Sequence, residues 1–328
     1  MKAMFEKERF SPLLQLSILL MVFALCYILG VFIVGLISAL YLHVPFSKLA
    51  ENAKLLNTNV AVLRMAQVVG SFFILALPAL ILAFIVNRKK PHNYLGFNIV
   101  ISGKQMFFTV LIFMCALWVS EILGIVNELI PIPKNSEVYF RKLEDDYTKE
   151  ATILLTMKDG HDYILSLIVV ALLPAVFEEL LFRGCLQKIM VSVTRNAFAG
   201  ILITSIIFSL FHQSYYGFLP RVFLGITLGY LYYYSKNIWL NITAHFLNNA
   251  FTITIMYSLV RQGKTLQDAL KDSDVTPKMA LYNTLFTGLL CCAALYFLFK
   301  AYRRESERVL AVNNMGDSEI DNNQNNPL

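Results

Sequence analysis

The sequence predicts an all-α, polytopic integral membrane protein of about eight transmembrane helices, on three observations. Of the 328 residues, 57% are apolar and only 15% charged, with a mean hydropathy of +0.59; a soluble domain carries roughly 45–50% apolar and about 25% charged residues. Apolar windows approaching the roughly 20 residues needed to cross a hydrocarbon core of about 30 Å recur along the chain. The basic residues sit in short clusters between those windows, so the net charge of +6 reads as membrane topology and excludes nucleic-acid binding.

The eight windows are 13–42, 65–87, 105–130, 163–187, 197–214, 217–235, 238–258 and 280–301. The first is too long for the roughly 7–15-residue core of a cleaved signal, and no small-residue cleavage site follows it, so it is expected to stay as a membrane helix. The fifth to seventh are short and closely spaced. Tilted or partly re-entrant helices are expected there, and the bilayer tolerates such backbone only where protein or a water-lined cavity surrounds it. No fixed-period repeat appears.

The chain divides accordingly into three N-terminal membrane helices (1–130), a polar segment (131–162), a core of closely spaced spans (163–258), a last membrane helix (280–301) and a polar tail (305–328). Residues 131–162 open with Pro131-Ile132-Pro133 and read as a solvated connector, although Tyr139, Leu143 and Tyr147, spaced four apart, also suit an interfacial helix or lid. The Asn- and Asp-rich tail lacks apolar periodicity and is expected to be disordered. Lys2, Lys7 and Arg9, the cluster Arg88, Lys89 and Lys90, and Lys300, Arg303, Arg304 and Arg308 all fall on one side if there are eight spans, which places both termini in the cytoplasm. The five cysteines lie inside apolar runs without metal-ligand spacing and read as buried small hydrophobes.

The fourth window contains Glu178, Glu179 and Arg183. Each charge at the centre of a membrane helix costs roughly 2.5–3.5 kcal/mol unless paired or wetted. On a helix Glu179 and Arg183 are i and i+4 and can pair, whereas Glu178 points about 100° away and stays free. A helix end in the headgroup region, with Arg183 snorkelling, is the plainer reading; it suits Glu178 less well, some fifteen residues into the span. The fifth window ends in Phe208-x-x-x-His212, and a lone interfacial His is more often structural than catalytic. The seventh holds His245 and Asn249, one turn apart on one face, with Asn248 beside them as a candidate for helix–helix contact.

Three spans thus present ionisable or amide groups at membrane depth, as expected of a peptidase site, a proton-coupled transporter or an ion path. Peptide hydrolysis needs a base to activate water and donors for the developing oxyanion; a free Glu with a His supplies the first, and a His with an Asn the second. Glu178-Glu179-x-x-x-Arg183, Phe208-x-x-x-His212 and His245-x-x-x-Asn249, in that order, resemble the three motifs of the CPBP family, also called the ABI or CAAX-protease and bacteriocin-processing family, which includes the prenyl-protein endopeptidase Rce. The resemblance covers roughly 163–258 and departs at no motif position. It implies an eight-span membrane endopeptidase with its site in a conical cavity. Glu178 with His212 would position the attacking water, His245 with Asn249 would stabilise the oxyanion, and Glu179 and Arg183 would hold the helix. The family was long described as metal-dependent, so zinc held by Glu178, His212 and His245 is an alternative to the metal-free, Glu-activated water that is preferred here.

The expected function is therefore an intramembrane endopeptidase acting on a peptide or membrane-associated protein. The sequence shows no organelle address and no glycosylation acceptor outside the spans, which favours a bacterial inner membrane and speaks against a prenylated substrate. Peptide maturation or bacteriocin immunity fits the family equally. The alternatives are a non-catalytic scaffold or immunity protein that keeps the motifs for packing, and a small-solute transporter. The transporter should show pseudo-symmetric halves, and here nearly all the intramembrane charge lies in the second half.

Overall fold

The computed structural model describes residues 10–51, 59–97, 100–132, 134–263 and 278–325. Lys2, Lys7, Arg9, Pro133 and much of the 259–279 segment lie outside the described residues. Among the described residues the regular structure is entirely helical: α1 (Pro12–Leu42), α2 (Phe46–Glu51), α3 (Val60–Val86), α4 (Pro91–Leu95), α5 (Gly103–Leu129), α6 (Lys134–Leu154), α7 (Gly160–Thr194), α8 (Ala197–Phe211), α9 (Phe218–Ser235), α10 (Ile238–Arg261) and α11 (Lys278–Asn325).

Local chemistry sets the helix ends. Ser11 caps α1 by accepting from the Leu14 amide, with Pro12 at the first turn, and Asn59, Asn196 and Asn237 cap α3, α8 and α10 in the same way. Ser102 and Gln105 form a reciprocal capping box on α5. Both α3 and α7 contain a proline, Pro78 and Pro174, and in each the turn before it widens to i→i+5 bonding, over Phe72–Ala76 and Leu167–Leu172. A proline lacks the amide its turn needs and crowds the carbonyl four residues back; the wider turn absorbs that defect without ending the helix. A second widened stretch in α7, Leu180–Gln187, follows directly on Glu179 and contains Arg183.

Each of the eight apolar windows falls on a helix. Five of these helices, α1, α3, α5, α7 and the Phe286–Asn313 part of α11, are long and apolar enough to cross a membrane by themselves. At about 1.5 Å per residue the 15 residues of α8 rise only about 22 Å, short of a core of about 30 Å. By itself α8 is therefore too short to cross such a core. Large apolar side chains such as Leu20, Leu25, Ile28 and Phe32 of α1 stand exposed, while its buried face mixes Leu19, Val22 and Cys26 with Gln15, Gly30 and Ser38. An apolar outer face of this kind is the one a lipid-facing helix needs. At Gly30 a Cβ would come within 2.7 Å of Phe73 Cβ, so the absence of a side chain lets α1 and α3 pack closely.

Two large apolar clusters form the core, one uniting α1, α3, α4, α7 and α8 with Tyr232 of α9 and Ile238 and Ile242 of α10, the other uniting α5, α9, α10 and α11. Within the 131–162 segment, α6 runs over 21 residues. It lies against the turn after α8: Ser214 Oγ donates to Glu144 Oε2 at 2.9 Å, Phe140 packs on Tyr215, and the Arg221 guanidinium stands 5.6 Å from the Tyr147 ring centre. Its far end is held by Arg64, which donates to the Leu154 and Thr156 carbonyls and pairs with Asp162 at 3.1 Å.

The expectation of a disordered tail from Glu305 is corrected. The α11 helix continues to Asn325, and Glu305 and Ser306 are buried against the start of α5: Ser102 Oγ donates to Glu305 Oε1 at 2.8 Å and Gln105 Nε2 to Ser306 Oγ at 3.2 Å. Apolar periodicity is absent here because the docking is polar, and polar docking leaves no hydropathy signal.

Candidate active site

The buried end of the site is organised by Glu179, whose side chain is wholly inaccessible. Its Oε1 accepts from Arg183 Nη1 at 3.0 Å and from His245 Nδ1 at 2.8 Å, and its Oε2 accepts from Asn241 Nδ2 at 3.3 Å. Arg183 in turn donates through Nη2 to the Gly225 carbonyl of α9 at 3.2 Å and lies over the Phe208 ring, 4.9 Å from its centre. One carboxylate therefore ties α7 to α10, and its arginine ties α7 to α8 and α9. Charge-assisted bonds of this kind offset the cost of burial that would otherwise exclude both groups from this depth.

The accessible end is different. Glu178 is 15% exposed, and its Oε2 is buried with no hydrogen-bond partner among the protein's atoms. The nearest ionisable atom is His245 Nε2, at 3.6 Å. His245 thus stands between two adjacent carboxylates, with Nδ1 committed to Glu179 and Nε2 facing Glu178. At the C-terminal end of α8, His212 Nδ1 lies 2.9 Å from the Phe208 carbonyl. A carbonyl only accepts, so Nδ1 carries the proton and Nε2 of the neutral ring is a bare acceptor. The His212 ring packs on Phe208, which also meets His245 edge-on, and Glu178, Arg221 and His245 all lie within electrostatic range of His212.

Of the six residues singled out in the sequence, Glu178, Glu179, Arg183 and His245 meet directly, and His212 joins them through Phe208. Asn249 lies one turn beyond His245 and does not bond to it. Its Oδ1 accepts from Asn248 Nδ2 at 3.0 Å, which leaves the Asn249 Nδ2 as donor. Glu179 pairs with Arg183, as helical spacing predicts, and also bonds to His245, which spacing within α7 could not reveal. Asn241 is the residue the sequence reading missed. Its signal was present, because Asn241, His245 and Asn249 form an i, i+4, i+8 stripe on α10.

Zinc held by Glu178, His212 and His245 would need their donor atoms gathered at bond lengths of about 2.0–2.2 Å from one ion. As placed, those three do not form a group with all donor atoms within 4.8 Å of one another; among the described residues that criterion is met by Asp159, His161 and Asp162, where Asp159 caps α7 and Asp162 already pairs with Arg64. The geometry does not fit a preassembled three-ligand site.

Residues 160–251 match the family model described as "Type II CAAX prenyl endopeptidase Rce1-like". A Bacillus subtilis (strain 168) protein described as "Putative membrane peptidase YdiL" is 33% identical over 97 residues, which span 30% of this chain and 39% of that relative. No solved structure matches the chain. The matched segment runs from the start of α7 to two residues beyond Asn249 and so contains the Glu179 network, Glu178 and His212; over these residues the chain is similar to the Rce1-like family, as its three motifs predict.

Proposed function

We propose that this protein is an intramembrane endopeptidase that hydrolyses a peptide bond with a Glu178-activated water. The observation that carries this reading is the contrast within one dipeptide: Glu179 is saturated by hydrogen bonds, while the neighbouring Glu178 keeps a buried carboxylate oxygen without a partner. A group left in that state at membrane depth has a use outside the fold's own stability.

A water between Glu178 and His212 finds two acceptors, the carboxylate and the bare Nε2, one for each proton. Its oxygen is thereby aimed at a substrate carbonyl carbon. As the C–O bond forms, the proton passes to Glu178 and negative charge develops on the carbonyl oxygen. When protonated, His245 donates through Nε2–H to that oxygen, together with Asn249 Nδ2. Glu178 then returns its proton to the amide nitrogen as the C–N bond breaks, releasing an amine and a carboxylic acid that keeps the second proton of the water.

The substrate class that suits the site is a peptide or small protein associated with the membrane, since Glu178 and Glu179 lie on α7, a helix long and apolar enough to cross a bilayer. The clusters at 88–90 and 303–308 favour a cytoplasmic position for both termini in a bacterial inner membrane. The test uses a peptide library presented with the purified protein in proteoliposomes, followed by mass spectrometry. The wild type should cut and Glu178→Gln should not, with equal thermal stability; equal cutting by the variant overturns the reading and leaves the buried network as a packing device. Elemental analysis together with activity after exhaustive chelation tests the metal-free route. Near-stoichiometric zinc, with activity lost on chelation and restored by zinc, would move His245 into a coordination shell and make Asn249 its orienting neighbour.

A further inference from the structure

Away from the site, the surface between α9 and α11 is cleft. The helices are pinned where Tyr302 Oη donates to the Leu231 carbonyl at 3.1 Å, and beside that contact they part around a cavity of about 640 Å³. Its α9 wall includes Ile226, Tyr230 and Tyr234, on one helical face, and its α11 wall includes Cys292, Tyr296 and Phe299. Tyr230 stacks on Tyr234 at 5.7 Å, and Tyr296 is 65% exposed. One end of this apolar cleft is lined by Lys300 and Arg303. Arg303 commits Nε to Glu307 Oε1 at 2.8 Å and stands 5.7 Å from the Tyr234 ring centre; Lys300 has no ion pair among the described residues. The charges at that end sum to a surplus of positive over negative.

An aromatic groove on the surface of a membrane-length helix, closed by two cations, has a definite chemical complement. An acyl chain fills the apolar length, and a phosphate accepts from the guanidinium and ammonium at its end. A zwitterionic lipid brings its own cation to the same place and gains less. We propose that the α9–α11 groove is a binding site for one anionic phospholipid, with an acyl chain between the tyrosine face of α9 and Tyr296 and Phe299 of α11, and with its phosphate on Lys300 and Arg303. This inference is independent of the peptidase reading, because none of these residues belongs to the Glu178 site.

The full-length protein, delipidated in a neutral detergent, is titrated with phosphatidylglycerol and with phosphatidylcholine of the same chains, and retained lipid is counted by native mass spectrometry. The wild type should hold phosphatidylglycerol at least about fivefold more tightly. Lys300→Ala and Arg303→Gln should each weaken phosphatidylglycerol about fivefold and leave phosphatidylcholine unchanged. Ile226→Trp, which fills the groove, should weaken both lipids. Arg88→Ala with Lys89→Ala, on an exposed basic turn elsewhere, should change neither. Equal retention of the two lipids by the wild type, or unchanged binding in both charge variants, overturns the proposal. A loss as large in the Arg88/Lys89 control reduces the preference to general surface attraction, and displacement of phosphatidylglycerol by inorganic phosphate alone would make the site a simple anion site; either result also overturns it.

Discussion

The two ends of the site obey opposite rules. At the buried end Glu179, Arg183, Asn241 and His245 form a network in which Glu179 uses both oxygens and no side chain has appreciable exposure. At the accessible end Glu178, His212 and Asn249 each leave a functional atom uncommitted: a carboxylate oxygen, a ring nitrogen and an amide NH₂. The first arrangement holds four helices together, and the second can meet a substrate. Residues of the same type, one position apart, therefore differ in kind, and substitutions at the two ends should fail in different ways.

The largest expected effect is at the buried end. Arg183→Ala strands the Glu179 carboxylate beside His245 and should lower stability by about 3–5 kcal/mol, seen as poor expression and an earlier thermal transition in detergent. An Arg183→Ala protein as stable as the wild type but inactive would instead place the arginine with the substrate and erase the distinction. Next is Asn249→Ala, which should reduce kcat by roughly 10²–10³ with little change in KM. A change in KM alone would make it a substrate-binding residue. Glu178→Gln and His212→Ala should each cost at least about 10² in rate while thermal melting stays near wild type; a matching loss of stability in either would move that residue to the buried group.

The smallest effect sharpens the boundary between the two ends. Asn241→Ala removes one hydrogen bond to Glu179 and one to the Leu228 carbonyl, 2.7 Å from its Nδ2. It should cost about 1–3 kcal/mol of stability and a smaller loss of rate than Glu178→Gln, because His245 keeps its stronger contact with Glu179. A rate loss as large as that of Glu178→Gln, with stability intact, would show that Asn241 acts through the orientation of His245.

What was visible beforehand follows from how far each interaction reaches along the chain. The pairing of Glu179 with Arg183 was visible because both sit on one helix four residues apart. The 2.8 Å contact between Glu179 and His245 spans 66 residues and left no periodic trace. The end of α11 was misread for the same reason, since Glu305 is accommodated by Ser102, 203 residues away. The α6 contacts with Ser214, Tyr215 and Arg221 likewise depend on where a polar helix happens to dock.

The sequence alone determined the membrane setting and the helical class, because hydropathy and the 3.6-residue period are properties of the local chain. It also set Glu178 apart from the i, i+4 pair of Glu179 and Arg183. Only the tertiary structure decided which groups are saturated and which remain open. A hydrogen bond is settled within about 3 Å, and that proximity arises when α7, α8, α9 and α10 pack around one carboxylate.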